Sequence, residues 1–282
     1  MSSDVVITLP RGLFDHSGGR HREAVLSQVT GQFEAQLAQA GELTPSAVSA
    51  LLAHAFSSIG AFDSVDTSLT AALSRGDRDY ALLHMRRGLF GERLALIVRC
   101  PNPACRLEAD LTLNVSEVAP TRNEPAPETL VAKTVHGPVI LREPTGADDA
   151  AVFGLPKPVA TEAMWTRLVV DFAGKGPLEP GQWANLDAEA RHVIATTLAD
   201  AASGPTLAFL VPCPSCGAWI DMELDPAELL ARELAVGVER LFSEVHILAY
   251  YYHWSERDIL ALPRARRYLY LNLIANQLGR NS

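Results

Sequence analysis

Residues 94–105 read Leu-Ala-Leu-Ile-Val-Arg-Cys-Pro-Asn-Pro-Ala-Cys, and residues 207–217 read Leu-Ala-Phe-Leu-Val-Pro-Cys-Pro-Ser-Cys-Gly. Each stretch is an apolar run that ends in a pair of cysteines. Apolar residues at every second position follow each pair, which is the period of a half-buried strand. The two stretches therefore predict two β-hairpins with a cysteine pair at each tip.

The two cysteine pairs together make a candidate metal site. Two hairpin tips can supply four thiolates to one zinc ion with tetrahedral geometry, and four thiolates leave no open coordination position for catalysis. The Cys213–Cys216 spacing is usual for such a site, whereas the Cys100–Cys105 spacing is longer. We therefore predict one structural zinc ion bound by Cys100, Cys105, Cys213 and Cys216. Metal-free thiols, one disulfide per pair and thiol redox chemistry are the alternatives.

The cysteine hairpins end two stretches of similar organisation. Thr30-Gly31 and Thr145-Gly146 lie 115 positions apart, and Cys100 and Cys213 lie 113 apart. Between these landmarks each stretch has a hairpin pattern followed by helical patterns. Because nearly the same offset persists over a hundred positions, the sequence predicts an α+β fold with two duplicated hairpin-helices-hairpin halves joined by a zinc-ribbon-like cysteine site, with a C-terminal helical segment.

Proline, glycine and helix-capping residues divide the chain into four parts. The predicted parts are a first half at 1–118, a proline-rich linker at 119–130, a second half at 131–225 and a helical segment at 226–282. Cap and proline signals predict helices from Thr44-Pro45 to Gly60, from Thr161 to Phe172, from Asp187 to Ala202, from Asp225-Pro226 to about Tyr250 and from Ser255 to Leu278.

Composition excludes several classes of function. The 282 residues carry a formal net charge of −9, which disfavours binding to nucleic acid or to an anionic membrane surface. No apolar stretch reaches the ~18 residues of a membrane span, and the first residues lack a secretory signal, so a cytoplasmic protein is expected. No nucleophile, base and orienting group can be assembled from spacing. The sequence predicts a protein that is not an enzyme.

The C-terminal segment is rich in aromatic and arginine side chains, which are enriched in protein interfaces. Three interpretations remain open. The aromatic rings could close over the core of the second half, form an exposed docking surface for a protein, or form a platform for single-stranded nucleic acid. The predicted partner contacts are Tyr251, Trp254, Arg264, Arg266, Arg267 and Tyr268.

Several of these motifs, in this order, resemble accessory proteins encoded with contractile phage tails. The motifs are Arg22-Glu23 with Thr30-Gly31, the Gly76-Asp77-Arg78-Asp79-Tyr80 helix start, the Cys-Pro hairpin tips, and the tail from Tyr252-His253-Trp254-Ser255-Glu256 to Pro263-Arg264-Ala265-Arg266-Arg267-Tyr268. The relatives in question are baseplate-hub assembly proteins or tail-assembly chaperones of myophages and of phage-derived contractile injection systems. The tail is the most specific of these motifs.

The resemblance implies a non-enzymatic factor that binds a baseplate, hub or tape-measure protein, either transiently as a chaperone or permanently as a particle subunit. A zinc-ribbon protein that binds nucleic acid or regulates transcription is the alternative, and it would need a basic face. A thiol redox protein is the third candidate, and it would need a cysteine of depressed pKa.

Overall fold

A computed structural model describes residues 4–118 and 127–279 of the chain, except for the side chains of Gln39 and Ala40. The chain has a mixed α+β fold with a C-terminal helical segment, as the sequence predicts. Most of the predicted proline-rich linker, residues 119–126, lies outside the described residues. No helix in the described ranges has the length and apolar character needed to cross a membrane.

The first part of the chain has nine helices and strands within residues 5–114. In chain order they are β1 (Val5–Phe14), β2 (Arg20–Leu26), α1 (Gly31–Ala40), α2 (Pro45–Ala55), β3 (Phe56–Ile59), α3 (Thr67–Ala72), α4 (Arg75–Phe90), β4 (Arg93–Arg99) and β5 (Glu108–Asn114). The side chains of Thr30, Thr44, Asp66 and Ser74 cap the four helices by accepting backbone N–H bonds.

The next part, within residues 130–223, has its elements in the same order. They are β6 (Leu130–Thr134), β7 (Gly137–Leu141), α5 (Gly146–Val152), α6 (Lys157–Leu168), β8 (Val169–Phe172), α7 (Gln182–Asn185), α8 (Ala188–Ala201), β9 (Ala208–Pro212) and β10 (Trp219–Glu223). The C-terminal segment then consists of α9 (Pro226–Tyr252), α10 (Glu256–Leu260) and α11 (Arg264–Gln277).

Each of these two parts contains a three-stranded antiparallel sheet and a separate two-stranded hairpin. The sheets have the orders β1-β2-β3 and β6-β7-β8, and the hairpins are β4-β5 and β9-β10. The second strand pairs with the third with one irregularity, between Val25 and Leu26 in the first sheet and between Ile140 and Leu141 in the second. The two irregularities are 115 positions apart, the same offset as the Thr-Gly pairs.

Two of the predicted helices end earlier than the sequence predicts. The helix predicted to reach Gly60 ends at Ala55, and the helix predicted to reach Phe172 ends at Leu168. A four-residue strand follows directly in each case, β3 and β8, because one more strand completes the sheet beside β2 or β7. Tertiary pairing therefore overrides the local helical pattern at these positions.

The last predicted helix is also divided. Instead of one helix from Ser255 to Leu278, the chain forms α10 and α11 with Leu262-Pro263 between them. Proline cannot donate the backbone hydrogen bond of a helix interior, and it disfavours a helical conformation at the residue before it. The break turns α11 back along α9, and aromatic contacts among Tyr252, Trp254 and Tyr270 hold the two helices together.

Candidate metal centre

Two hairpin tips carry the four cysteines. The Cys100 N–H donates to the Leu107 carbonyl (2.9 Å), and the Cys213 N–H donates to the Ala218 carbonyl (2.8 Å), so each first cysteine is fixed at the end of its strand pair. The residue after each second cysteine has a left-handed backbone, with φ 48° at Arg106 and φ 72° at Gly217. This conformation reverses the chain and turns both thiols of a pair to the same side.

The longer spacing of the first pair is absorbed by a turn built on Asn102. Its carbonyl accepts the N–H groups of Cys105 and Arg106 (3.0 Å each), and its side-chain oxygen accepts the Ala104 N–H (3.0 Å). Cys105 is thereby brought back beside Cys100. The side-chain nitrogen of Asn102 also lies 3.7 Å from the Cys216 sulfur, across the gap between the hairpins.

The structure brings all four predicted cysteine ligands together, with their sulfur atoms within 4.8 Å of one another. The Cys100–Cys216 sulfurs are 3.6 Å apart and the Cys105–Cys213 sulfurs are 3.9 Å apart. Both short distances join one hairpin to the other. A tetrahedron of sulfurs around an ion at a 2.3 Å bond length has edges of about 3.8 Å. The four thiols therefore have the spacing of a metal site, and none of the four is in a disulfide.

One side of the cysteine site is buried and the other side is exposed to solvent. Cys100 and Cys213 are buried against Val98 and Ile220, whereas Cys216 is exposed. Desolvation raises the pKa of Cys100 to about 12, and backbone N–H groups of Cys216 and Ser215 lower the pKa of Cys213 to about 7. A bound cation would favour the thiolate form at every one of the four positions.

The arrangement is suited to a structural role. Four sulfurs complete a tetrahedral shell, so a bound ion has no position for water or substrate. The ligands come from hairpins more than a hundred residues apart in sequence, and metal binding would therefore hold β4-β5 against β9-β10. Apolar side chains from both hairpins pack beneath the sulfurs, including Leu111, Val211 and Met222.

The predicted partner contacts in the C-terminal segment fall into two groups. Tyr251, Arg266 and Tyr268 are exposed, and Trp254 is half-buried against Tyr252 and Tyr270. Arg267, by contrast, is 0% exposed and Arg264 is 9% exposed. A surface contact through these two arginines was therefore the wrong expectation.

Arg267 lies inside the fold because it joins two helices to the first part of the chain. Its guanidinium donates to Glu244 Oε2 (2.9 Å), to Glu34 Oε1 (2.8 Å) and to the Leu262 carbonyl (2.9 Å). Arg264 lies over the Phe90 ring and 3.8 Å from Glu34. Sequence reasoning missed this network because Glu34 is 233 positions from Arg267 and carries no local signal of burial.

Comparison of the chain with family models, with curated proteins and with solved structures gives no match.

Proposed function

We propose that this chain is a non-enzymatic assembly factor or structural component of a contractile phage tail-like particle, and that it binds a baseplate, hub or tape-measure protein. The proposal places the chain in the cytoplasm during assembly. The tail motif from Tyr252 to Tyr268 supports it through the resemblance to tail accessory proteins. The observation that carries it is the surface of the C-terminal segment.

Large apolar side chains are exposed along α9 and α11, among them Phe242, Ile247, Tyr250, Tyr251, Tyr268, Leu269 and Leu273. Tyr250 and Leu269 keep 69% and 63% of their surface exposed. Exposed apolar patches of this kind mark sites of protein association, and tyrosine is enriched in them. A protein partner is therefore favoured over nucleic acid, for which a chain of net charge −9 is poorly suited.

We further propose that residues 5–114 and 130–223 are copies of one ancestral unit. Three observations support this: the same order of nine elements, the strand irregularities 115 positions apart, and the left-handed residue after the second cysteine of each hairpin. In this proposal the metal is a single zinc ion that ties the two copies together. Zinc is favoured because an all-thiolate tetrahedral shell is typical of structural zinc.

The partner proposal is tested by affinity capture from cells that produce a contractile particle. The full chain should retain a baseplate, hub or tape-measure protein, identified by mass spectrometry. A variant with Tyr268→Ser, Leu269→Ser and Leu273→Ser should lose that protein, because the exposed apolar area on α11 is removed without touching the buried Arg267. If the unaltered chain retains no particle protein, the proposal is contradicted.

A matched control uses apolar residues that are exposed elsewhere. Val131 and Val170 lie on the three-stranded sheet of the second part and are 56% and 44% exposed. A variant with Val131→Ser and Val170→Ser should retain the partner as well as the unaltered chain does. Equal loss with both variants would assign the capture to general surface stickiness instead of to the C-terminal segment.

A further inference from the structure

Three places in the chain share a local structure that we call a corner: a leucine, a helix-capping residue, and an arginine four positions after the cap. They are Leu73-Ser74 with Arg78, Leu186-Asp187 with Arg191, and Leu262-Pro263 with Arg267. Each corner joins a short helix to the long helix α4, α8 or α11. The caps have nearly the same backbone, with φ/ψ of −59/156° at Ser74, −63/158° at Asp187 and −61/151° at Pro263.

Two of the corners bind the start of another helix in the same way. The Gly146 N–H donates to the Leu73 carbonyl, and the Gly31 N–H donates to the Leu262 carbonyl, both at 3.2 Å. Antiparallel bridges pair Ser74 with Thr145 and Pro263 with Thr30. Both corners therefore bind a Thr-Gly helix start through backbone contacts, which depend on the backbone conformation of the bound segment.

The glycine of the bound helix start is needed for close approach. A Cβ at Gly146 would overlap the Arg78 guanidinium, and a Cβ at Gly31 would lie 2.7 Å from Arg267 Nη1. The guanidinium group of the corner arginine thus occupies the space that a Cβ atom would take at the glycine. Any larger residue at that position would displace a buried arginine.

An acidic residue three positions after the glycine completes each contact. Asp149 pairs with Arg75, whose Nε lies 3.2 Å away, and Glu34 pairs with Arg267 at 2.8 Å. Arg75 and Arg264 each directly follow the cap of their corner. The segment that a corner binds therefore has the pattern Thr-Gly-x-x-acid at the start of a helix.

The third corner binds no such segment in the part of the chain that the structure describes. Leu73 and Ser74 are fully buried under their helix start, whereas Leu186 is half-buried and Asp187 is exposed. Within residues 4–118 and 127–279, no backbone N–H donates to the Leu186 carbonyl, and the hydrogen bond formed by Arg191 comes from its backbone N–H and not from its guanidinium. At this corner the Asp187 carboxylate pairs with His136 of the β6-β7 turn, whereas the Leu186 carbonyl and the Arg191 guanidinium have no equivalent partner within those ranges.

We propose that the corner at Leu186-Asp187 and Arg191 is a docking site for a Thr-Gly-x-x-acid helix start on a partner protein. A second copy of this chain is a poor occupant, because both of its Thr-Gly starts are already covered by its own corners. The choice of occupant follows from the corner at Leu262-Pro263, where the arginine four positions after the cap pairs with Glu34, and Arg191 holds the same place here. The inference rests on the proposed partner-binding role and names the chemistry of one contact.

The test is a titration of the isotope-labelled full chain, followed by backbone amide NMR, with a synthetic peptide of residues 141–155. This peptide contains the Thr145-Gly146 start and Asp149. Saturable shifts are expected at the amides of residues 186–191. A peptide with Gly146→Val should give none, because its side chain would meet Arg191, and an Arg191→Glu chain should not bind the unaltered peptide.

Two results would overturn the inference. One is the absence of saturable shifts at residues 186–191 with the peptide at millimolar concentration. The other is equal binding of the Gly146→Val peptide, which would show that the glycine is not read. Affinity capture separates this inference from the proposed function: capture of a particle protein without peptide binding contradicts only the docking corner, and peptide binding without capture contradicts only the particle role.

Discussion

The two parts of the chain with the same order of elements differ in what covers them. In residues 5–114 the core is extended by Leu230 and Leu234 of α9, and α10 and α11 close over the Thr30-Gly31 helix start. In residues 130–223 the core is made from the part's own sheet and helices, and Asp187 at the third corner is exposed. The C-terminal segment therefore covers the Thr30-Gly31 helix start of the first part, whereas no segment within residues 4–118 and 127–279 covers the corner at Leu186-Asp187 of the second part.

The two cysteine hairpins also correspond to each other, but here different sequences give the same arrangement of side chains. Their tips differ in length, in proline content and in the residue at the left-handed position. Even so, they place their sulfurs in equivalent positions around one centre. The site requires only that each hairpin tip places two thiols on the same side. The residues between the two cysteines of a tip can therefore differ.

The largest effect is expected from removing one thiol. Cys105→Ser and Cys216→Ser should each abolish stoichiometric zinc binding and lower the free energy of unfolding by about 5 kcal/mol or more, because metal binding contributes directly to folding. Zinc content by elemental analysis and urea unfolding check both. The two losses should be equal despite the different spacings, and full zinc retention by either variant would contradict a four-cysteine site.

The next largest effect distinguishes the corner at Leu262-Pro263, which binds a helix start and is called filled, from the corner at Leu186-Asp187, which binds none among the described residues and is called open. Arg267→Ala should destabilise the chain by roughly 3–5 kcal/mol, because it removes the closest cationic partner of the buried Glu34 and Glu244. Arg191→Ala, at the matching position of the open corner, should change stability by less than about 0.5 kcal/mol. Urea unfolding of both variants makes the measurement. A large loss with Arg191→Ala would show that the third corner is occupied within the chain.

Much of the fold could be predicted from the sequence because its signals are local. The caps at Thr44, Asp187 and Asp225 are a hydroxyl or a carboxylate directly before a helical pattern, and the structure confirms all three. The strands β3 and β8 could not be predicted, because only the pairing with a distant neighbour distinguishes these four-residue segments, which have apolar residues at both ends, from the last turn of a helix.

The candidate site divides in the same way. Cysteine spacing is visible in the sequence, and the four thiols were predicted and found together. The function of the corners could not be predicted, because a pattern of leucine, cap and arginine does not show that the leucine carbonyl binds a distant N–H group. The sequence predicts Arg264 and Arg267 at the surface, because their acidic partner Glu34 lies far away along the chain and gives no local signal of burial.

A pH-dependent effect is expected at the filled corner of the first part. Burial, together with the charges of Asp225 and Asp149, raises the pKa of Asp79 to about 7. The folded state therefore holds a proton that the unfolded state has released, and stability falls as the pH rises from about 4 to about 7. Asp79→Asn should remove this penalty, so its stability advantage over the unaltered chain should grow by roughly 2 kcal/mol between pH 5 and pH 8.

Urea unfolding at the two pH values measures that difference, and metal loss at low pH affects both chains alike. Glu189→Gln is the matched control, because Glu189 is an exposed acid in the first turn of α8 at the open corner. Its stability difference should stay within about 0.5 kcal/mol at both pH values. An advantage of Asp79→Asn that does not grow with pH would mean that Asp79 is ionised in the folded chain at pH 5.

The smallest effect concerns the left-handed residues of the two hairpins. A Cβ at Gly217 would meet no atom within 4 Å, so Gly217→Ala tests the backbone conformation alone. It should destabilise the chain by about 1 kcal/mol, whereas Arg106→Gly, at an exposed position with φ 48°, should stabilise it by roughly 0.5–1 kcal/mol. Urea unfolding of both variants at unchanged zinc content makes the comparison. Opposite signs are required if both hairpins need a left-handed backbone after the second cysteine, and a loss of stability with Arg106→Gly would mean that the Arg106 side chain contributes contacts beyond its backbone.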